Sequence, residues 1–129
     1  MGRLPLRHPQ FWLIAGWAMV AFIAVMCELP GKDVPDLHVS DKLEHATAYL
    51  GLTMWFTGIY PRSSYWRIAL YFFAMGVLVE VFQYLLHLGR TADIHDVAAN
   101  TLGIVVALVV SYAGLGGWAQ RVESLWQRA

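Results

Sequence analysis

Four apolar stretches, Phe11–Leu29, Leu43–Tyr60, Arg67–Leu88 and Asp96–Leu115, constrain this chain more than any other feature. Each approaches the roughly 20 residues that carry a helix across a bilayer at 1.5 Å rise per residue. The first has no ionisable group before Glu28. The fourth, beyond Asp96, has only Asn100, Thr101 and Ser111 as polar side chains. All five prolines (Pro5, Pro9, Pro30, Pro35, Pro61) lie outside the stretches, where helix sterics favour them. A water-soluble bundle of the same helices needs a polar face at helical period, and too few polar residues are present to make one. Charged residues are 14% and hydrophobic residues 58% of the chain, against about 25% and 45–50% in soluble domains. The expected fold is therefore an all-α, integral membrane four-helix bundle forming one domain over 1–129. Nine Lys+Arg balance nine Asp+Glu, which leaves no basic footprint for nucleic acid.

The first stretch does not read as a cleaved signal peptide. Its flank is basic, but its apolar run exceeds the usual ~7–15 residues and no small-x-small site follows. Met26 before Cys27 is too large for a lipoprotein attachment site. Cys27, the single cysteine, reads as an apolar helix residue, so no disulfide forms within one chain. Basic residues set orientation through the short flanks. Arg3, Arg7, Arg62, Arg67, Arg121 and Arg128, with the single acid Glu123, mark one side. Lys32, Lys42 and Arg90, outnumbered by Glu28, Asp33, Asp36, Asp41, Glu44, Asp93 and Asp96, mark the other. Both termini are expected in the cytoplasm, with the loops Pro30–Ser40 and Gly89–His95 outside. In the tail, 117–127, Trp118, Val122, Leu125 and Trp126 share one helical face, with Gln120, Arg121, Glu123 and Gln127 elsewhere. That pattern predicts a short amphipathic helix in the inner interface; a partner-docking helix is the alternative.

Polar residues inside the stretches carry the functional signal, because an ionised group at helix centre costs roughly 2.5–3.5 kcal/mol and tends to pair or line a cavity. Asp41, His45 and Tyr49 are spaced i, i+4, i+8, with Lys42 and Glu44 beside them. Glu80, Gln83 and His87 fall at i, i+3, i+7. Asp96, Asn100 and Gly103 share a third face. Three helices thus each aim a polar stripe from the outer half, and short connections bring the stripes together. Asp41 and Asp96 also suit helix N-terminal positions. Tyr60, Tyr65 and Trp66 suit an aromatic belt. Gln83 and Asn100 suit interhelical hydrogen bonding, and Ala99, Gly103 and Ala107 form a small-residue packing face. Glu80 lies about 12 Å below its helix end, where neither a cap nor an interface explains an acid.

The ordered set Asp41-Lys42-x-x-His45-x-x-x-Tyr49, Glu80-x-x-Gln83 and Gly89-Arg90-x-x-Asp93-x-x-Asp96-x-x-x-Asn100-x-x-Gly103 resembles the VanZ-like family. The resemblance covers about Val39 to Val110. It implies a multi-pass protein of the bacterial cytoplasmic (inner) membrane and cell envelope. The family is named after an accessory protein of teicoplanin resistance, which makes an accessory role in glycopeptide-antibiotic tolerance an expectation. The resemblance fixes no reaction.

Three functional readings follow. In the first, the outer polar cluster binds an anionic or polar headgroup of a lipid or cell-wall precursor. Arg90 and Lys42 hold the anion, Asp93, Asp96 and Glu80 orient those cations, Tyr49, Gln83 and Asn100 contact sugar or amide groups, and Asp41 belongs to the same ligand-binding set. In the second, the protein is a membrane-embedded hydrolase or transferase. His45 acts as general base beside Asp41 or Asp96, with Glu80 in the same site and Arg90 stabilising anionic charge. A metal version would use His45, Glu80, His87 and Asp96, but no His-x-x-x-His or His-x-Glu signature supports it, and no cofactor is expected. In the third, the stripes serve only structure or assembly. Transport fits poorly, since no inverted repeat is visible.

Overall fold

The computed structural model describes residues 2–28, 41–86 and 94–128. It is all-helical, with no strand among the described residues. Helix α1 spans Pro9–Glu28, α2 Asp41–Thr57, α3 Tyr65–Leu86, α4 Ile94–Val110 and α5 Trp118–Arg128. A 3-10 turn, Arg62–Ser64, leads into α3, and a π-helical turn, Ser111–Leu115, ends α4. Three segments, Pro9–Met26, Arg62–Leu86 and Ile94–Leu115, are long and apolar enough to cross a membrane. The surface agrees with a lipid solvent. Ile14, Phe22, Leu70, Leu78, Leu102 and Val109 are all more than half exposed, while His45, Glu80, Gln83, Asp96 and Asn100 are buried. In water an apolar surface of that extent would be an association hazard.

Helix boundaries differ from the sequence expectation for physical reasons. α1 starts at Pro9 rather than Phe11 because proline suits the first helical position; the His8 carbonyl accepts from Trp12 N–H at 3.4 Å. α2 stops at Thr57 rather than Tyr60. There Gly58 N–H folds back on Trp55 O at 3.1 Å and Ile59 N–H on Phe56 O at 3.1 Å, and Pro61 disfavours helix at Tyr60. With 17 residues, α2 is about 25 Å long, short of the ~30 Å hydrocarbon core. Its last carbonyls, which have no partner within the helix, find donors elsewhere in the protein. Trp118 Nε1 donates to Met54 O at 2.7 Å, Gly117 N–H to Thr57 O at 2.9 Å and the Tyr65 hydroxyl to Thr57 O at 3.5 Å. The chain reaches this position by reversing at Gly114 (φ 136°) and Gly117 (φ 70°), conformations that side chains with a Cβ rarely adopt.

The most intimate packing is between α2 and α4, which run in the same direction. Lys42 and His45 meet Asp96 at one end, and Thr57 meets Ser111 at the other, with hydroxyls 2.7 Å apart. Between these ends the α4 backbone lies against α2. A Cβ on Gly103 would fall 2.1 Å from Ala46 O, so the small-residue face serves this contact. α3 lies across the pair, with Gly76 against Asn100 and Tyr49. Tyr49, Leu52, Phe56, Tyr65, Ile68, Phe72 and Ile104 form the apolar core. α1 is peripheral: Gly16 and Trp17 pack on Phe56. Between α1 and α3, Ala24, Met75, Leu78 and Phe82 line an apolar groove of about 420 Å³.

The tail helix α5 folds back on its own chain. Trp118 packs edge-on against Trp12 and Trp55, and Trp126 stacks on Trp12 at 5.6 Å. The sequence reading placed Glu123 away from the apolar face; the structure corrects this. Glu123 is buried beside the fully buried Ala119. Its carboxylate accepts from Arg7 N–H at 2.7 Å, His8 N–H at 2.9 Å and Trp12 Nε1 at 2.9 Å. Burial pushes the Glu123 carboxyl up. The three hydrogen bonds and the His8 charge outweigh burial and hold it below the ordinary range. The carboxylate also sits where the α1 dipole favours negative charge. The expected apolar face divides. Trp118 and Val122 pack inward, whereas Leu125 is 60% exposed, flanked along the helix by Arg121.

Candidate functional site

Residues from three helices meet where α2 and α4 begin. Asp96, in the first turn of α4, is the centre. Its Oδ1 forms an ion pair with the Lys42 ammonium, and its Oδ2 lies 3.7 Å from His45 Nε2. Lys42 and His45 occupy the first turns of α2 and reach Asp96 because α2 and α4 run parallel, which sets their N-termini side by side. Lys42 is half-exposed, while His45 and Asp96 are buried. One turn further along α4, Asn100 packs against Gly76 of α3. A Cβ at Gly76 would lie 2.9 Å from Asn100 Nδ2 and 3.6 Å from the Tyr49 hydroxyl. Glu80 and Gln83 are buried on the same face of α3, beyond Gly76. Asn100 Oδ1 is buried and accepts no hydrogen bond from the described residues.

The structure therefore gathers Lys42, His45 and Asp96 in direct contact, and Tyr49 with Asn100 around Gly76. It buries Glu80 and Gln83 on the adjoining helix face. Arg90, Asp93 and His87 lie outside the described residues, as does the side chain of Asp41, whose backbone opens α2. No group of three or more His, Cys, Asp or Glu able to hold a metal occurs among the described residues.

Two further features extend the polar stripes beyond the sequence reading. On α2, Thr53 and Thr57 continue the i, i+4 row begun by His45 and Tyr49, and all four are buried. On α4, Ser111 continues the row through Asn100 and Ala107 and meets Thr57. The signal was the same spacing carried two turns further. Glu123 had a weaker one: it follows Ala119 by four residues on the edge of the apolar face.

An all-helical chain with an apolar exterior, membrane-length helices and a buried cluster of ionisable side chains is a membrane protein. The VanZ/LLP1 family model matches residues 37–115, and the chain belongs to this family. The match takes in α2, α3 and α4 and every residue of the polar cluster. No curated protein and no solved structure matches the chain.

Proposed function

We propose that the polar cluster binds the anionic headgroup of a lipid or lipid-linked cell-wall precursor at the outer face of the bacterial inner membrane. In this reading α1 to α4 all span the membrane as a four-helix bundle, both termini are cytoplasmic, and α5 rests in the inner interface. The observation that carries the reading is the parallel placement of α2 and α4. Two helix N-termini lie together, and the partial positive charges of the two helix dipoles add at that end. Such termini favour phosphate and carboxylate. Lys42, half-exposed beside them, adds a full charge. Arg90, four residues before α4, adds a planar fork matched to oxyanions. Asp96 and Asp93 orient these cations, and Asp41 opens α2 at the same end. The Asn100 oxygen, with Tyr49 and Gln83, offers polar contacts to a sugar or amide.

Lipid extraction tests this directly. Purified wild type should carry a phosphate-bearing lipid that Lys42→Ala and Arg90→Ala lose. The same lipids in equal amount from all three would overturn the reading.

One observation favours a catalytic version. His45 Nε2 lies against a buried carboxylate, Asp96, at 3.7 Å. Such a pair can orient an imidazole as general base, with Glu80 as a second proton-transfer group and Lys42 and Arg90 stabilising developing charge. The reaction class would be hydrolysis or transfer on a lipid or cell-wall precursor. An His45→Ala variant that keeps full cellular function would exclude this version and leave the binding reading intact.

A further inference from the structure

The opposite end of the molecule holds a second concentration of positive charge. Arg62, in the turn before α3, donates to Tyr112 O and lies over the Tyr112 ring, 5.3 Å from its centroid. Arg121, in α5, donates to Gly114 O and, at 3.2 Å, to Gly116 O. Both guanidiniums are therefore drawn to one short segment, 112–116, where α4 ends. Both lie within electrostatic reach of the Tyr65 hydroxyl, and the Tyr65 ring packs on Tyr112 at 4.9 Å. Both arginines are exposed. No carboxylate among the described residues pairs with either one. Capping the α4 carbonyls occupies one terminal nitrogen of each, and a guanidinium has five N–H donors in a fixed fork. Two exposed guanidiniums anchored on one short segment, each with donors beyond its carbonyl contacts, offer charge-assisted hydrogen bonds to an oxyanion.

Tyr112, which lies under Arg62, is about half exposed, and Trp66, four residues along the chain from Arg62, is 60% exposed. Arg67 lies over Trp66 at 5.2 Å. Exposed tryptophan and tyrosine beside arginine is the pattern of the headgroup level of a bilayer. Leu115, also more than half exposed, offers an apolar contact next to the charges.

We propose that Arg62 and Arg121 form a binding site for the phosphate of an anionic phospholipid, at the end of the molecule opposite the Lys42–Asp96 cluster. The bound phosphate would tie the α2–α3 turn to α5 and fix α5 against the bilayer. This proposal does not depend on the headgroup reading of the Lys42–Asp96 cluster, and the variants used to test each are different.

The test is lipid binding by the full chain in phosphatidylcholine micelles titrated with phosphatidylglycerol. Wild type should prefer phosphatidylglycerol by about tenfold or more, about 1.4 kcal/mol. Arg62→Gln/Arg121→Gln should lose that preference. Arg3→Gln/Arg7→Gln, which removes the same charge from exposed side chains elsewhere, should keep it. Arg62→Lys/Arg121→Lys keeps the charge without the fork and should fall between; it also serves if the glutamine pair does not fold. Retained preference in both the glutamine and lysine pairs, or equal loss in the Arg3/Arg7 control, would overturn the proposal. Displacement by inorganic phosphate alone would assign the site to a free ion and overturn the lipid source.

Discussion

Replacing Gly103 by alanine should be among the most damaging small changes in this protein. The ideal Cβ would lie 2.1 Å from Ala46 O and 3.0 Å from Leu50 N, both backbone atoms of α2. An ordinary carbon–oxygen contact is about 3.3–3.6 Å, so α2 must retreat by about 1 Å. Forced separation of this kind costs about 1–3 kcal/mol. Alanine recovers about 1 kcal/mol of helix propensity over glycine. Both clashing atoms are backbone and cannot swing aside, so the upper part of that range applies and a net loss of up to about 2 kcal/mol is expected. Gly51, on the same helix pair, supplies the contrast: nothing lies within 4 Å of its Cβ position. Gly51→Ala should therefore be neutral or stabilising by up to ~1 kcal/mol. The assay is reversible unfolding in mixed micelles, followed by tryptophan fluorescence and far-UV circular dichroism. Equal stability of the two variants would refute the close α2–α4 packing on which the polar cluster depends.

Glu123→Ala should cost about 3 kcal/mol or more. It leaves three buried or half-buried donors unsatisfied, at about 1–3 kcal/mol each, and the loss should appear as altered fluorescence from the Trp12–Trp126 stack. The folded Glu123 carboxyl lies below its ordinary value of 4.5. Its contribution to stability is thus complete above that ordinary value and lost as pH falls through the depressed one. Glu123→Gln should flatten that acid limb of the stability–pH profile. A double-mutant cycle of Thr57→Val with Ser111→Ala should show a coupling of about 0.6 kcal/mol, as for interhelical hydrogen bonds in lipid; zero coupling would contradict the paired hydroxyls.

Much of the arrangement is legible in the sequence, and the limits have physical causes. The apolar stretches locate α1, α3 and α4 because a lipid solvent demands runs of a length that little else in a chain imitates. The i, i+4 rows on α2 and α4 point to His45, Tyr49, Asp96 and Asn100, with Lys42 beside the first row, because polar side chains in such helices turn inward. The end of α2 was not legible. Its carbonyls are capped by Trp118 and Gly117, about sixty residues along the chain, and local propensity carries no record of so distant a donor. Glu123 was misplaced for a related reason. A lone carboxylate in a basic flank reads as a solvated charge until the backbone N–H groups of Arg7 and His8 are seen to converge on it. The alternating spans already imply that α2 and α4 run parallel and that their stripes meet, but not that this pair packs more closely than either does on α3.

The central proposal is that the paired N-termini of α2 and α4, with Lys42, form an anion site for a headgroup. An experimental density map of the protein in bilayer discs of its native lipid tests it most directly. Phosphate-sized density is expected within hydrogen-bond reach of Lys42 Nζ, at the N-terminal ends of α2 and α4. A map at the same detail that resolves Lys42 and Asp96 with no non-protein density at those N-termini would contradict it.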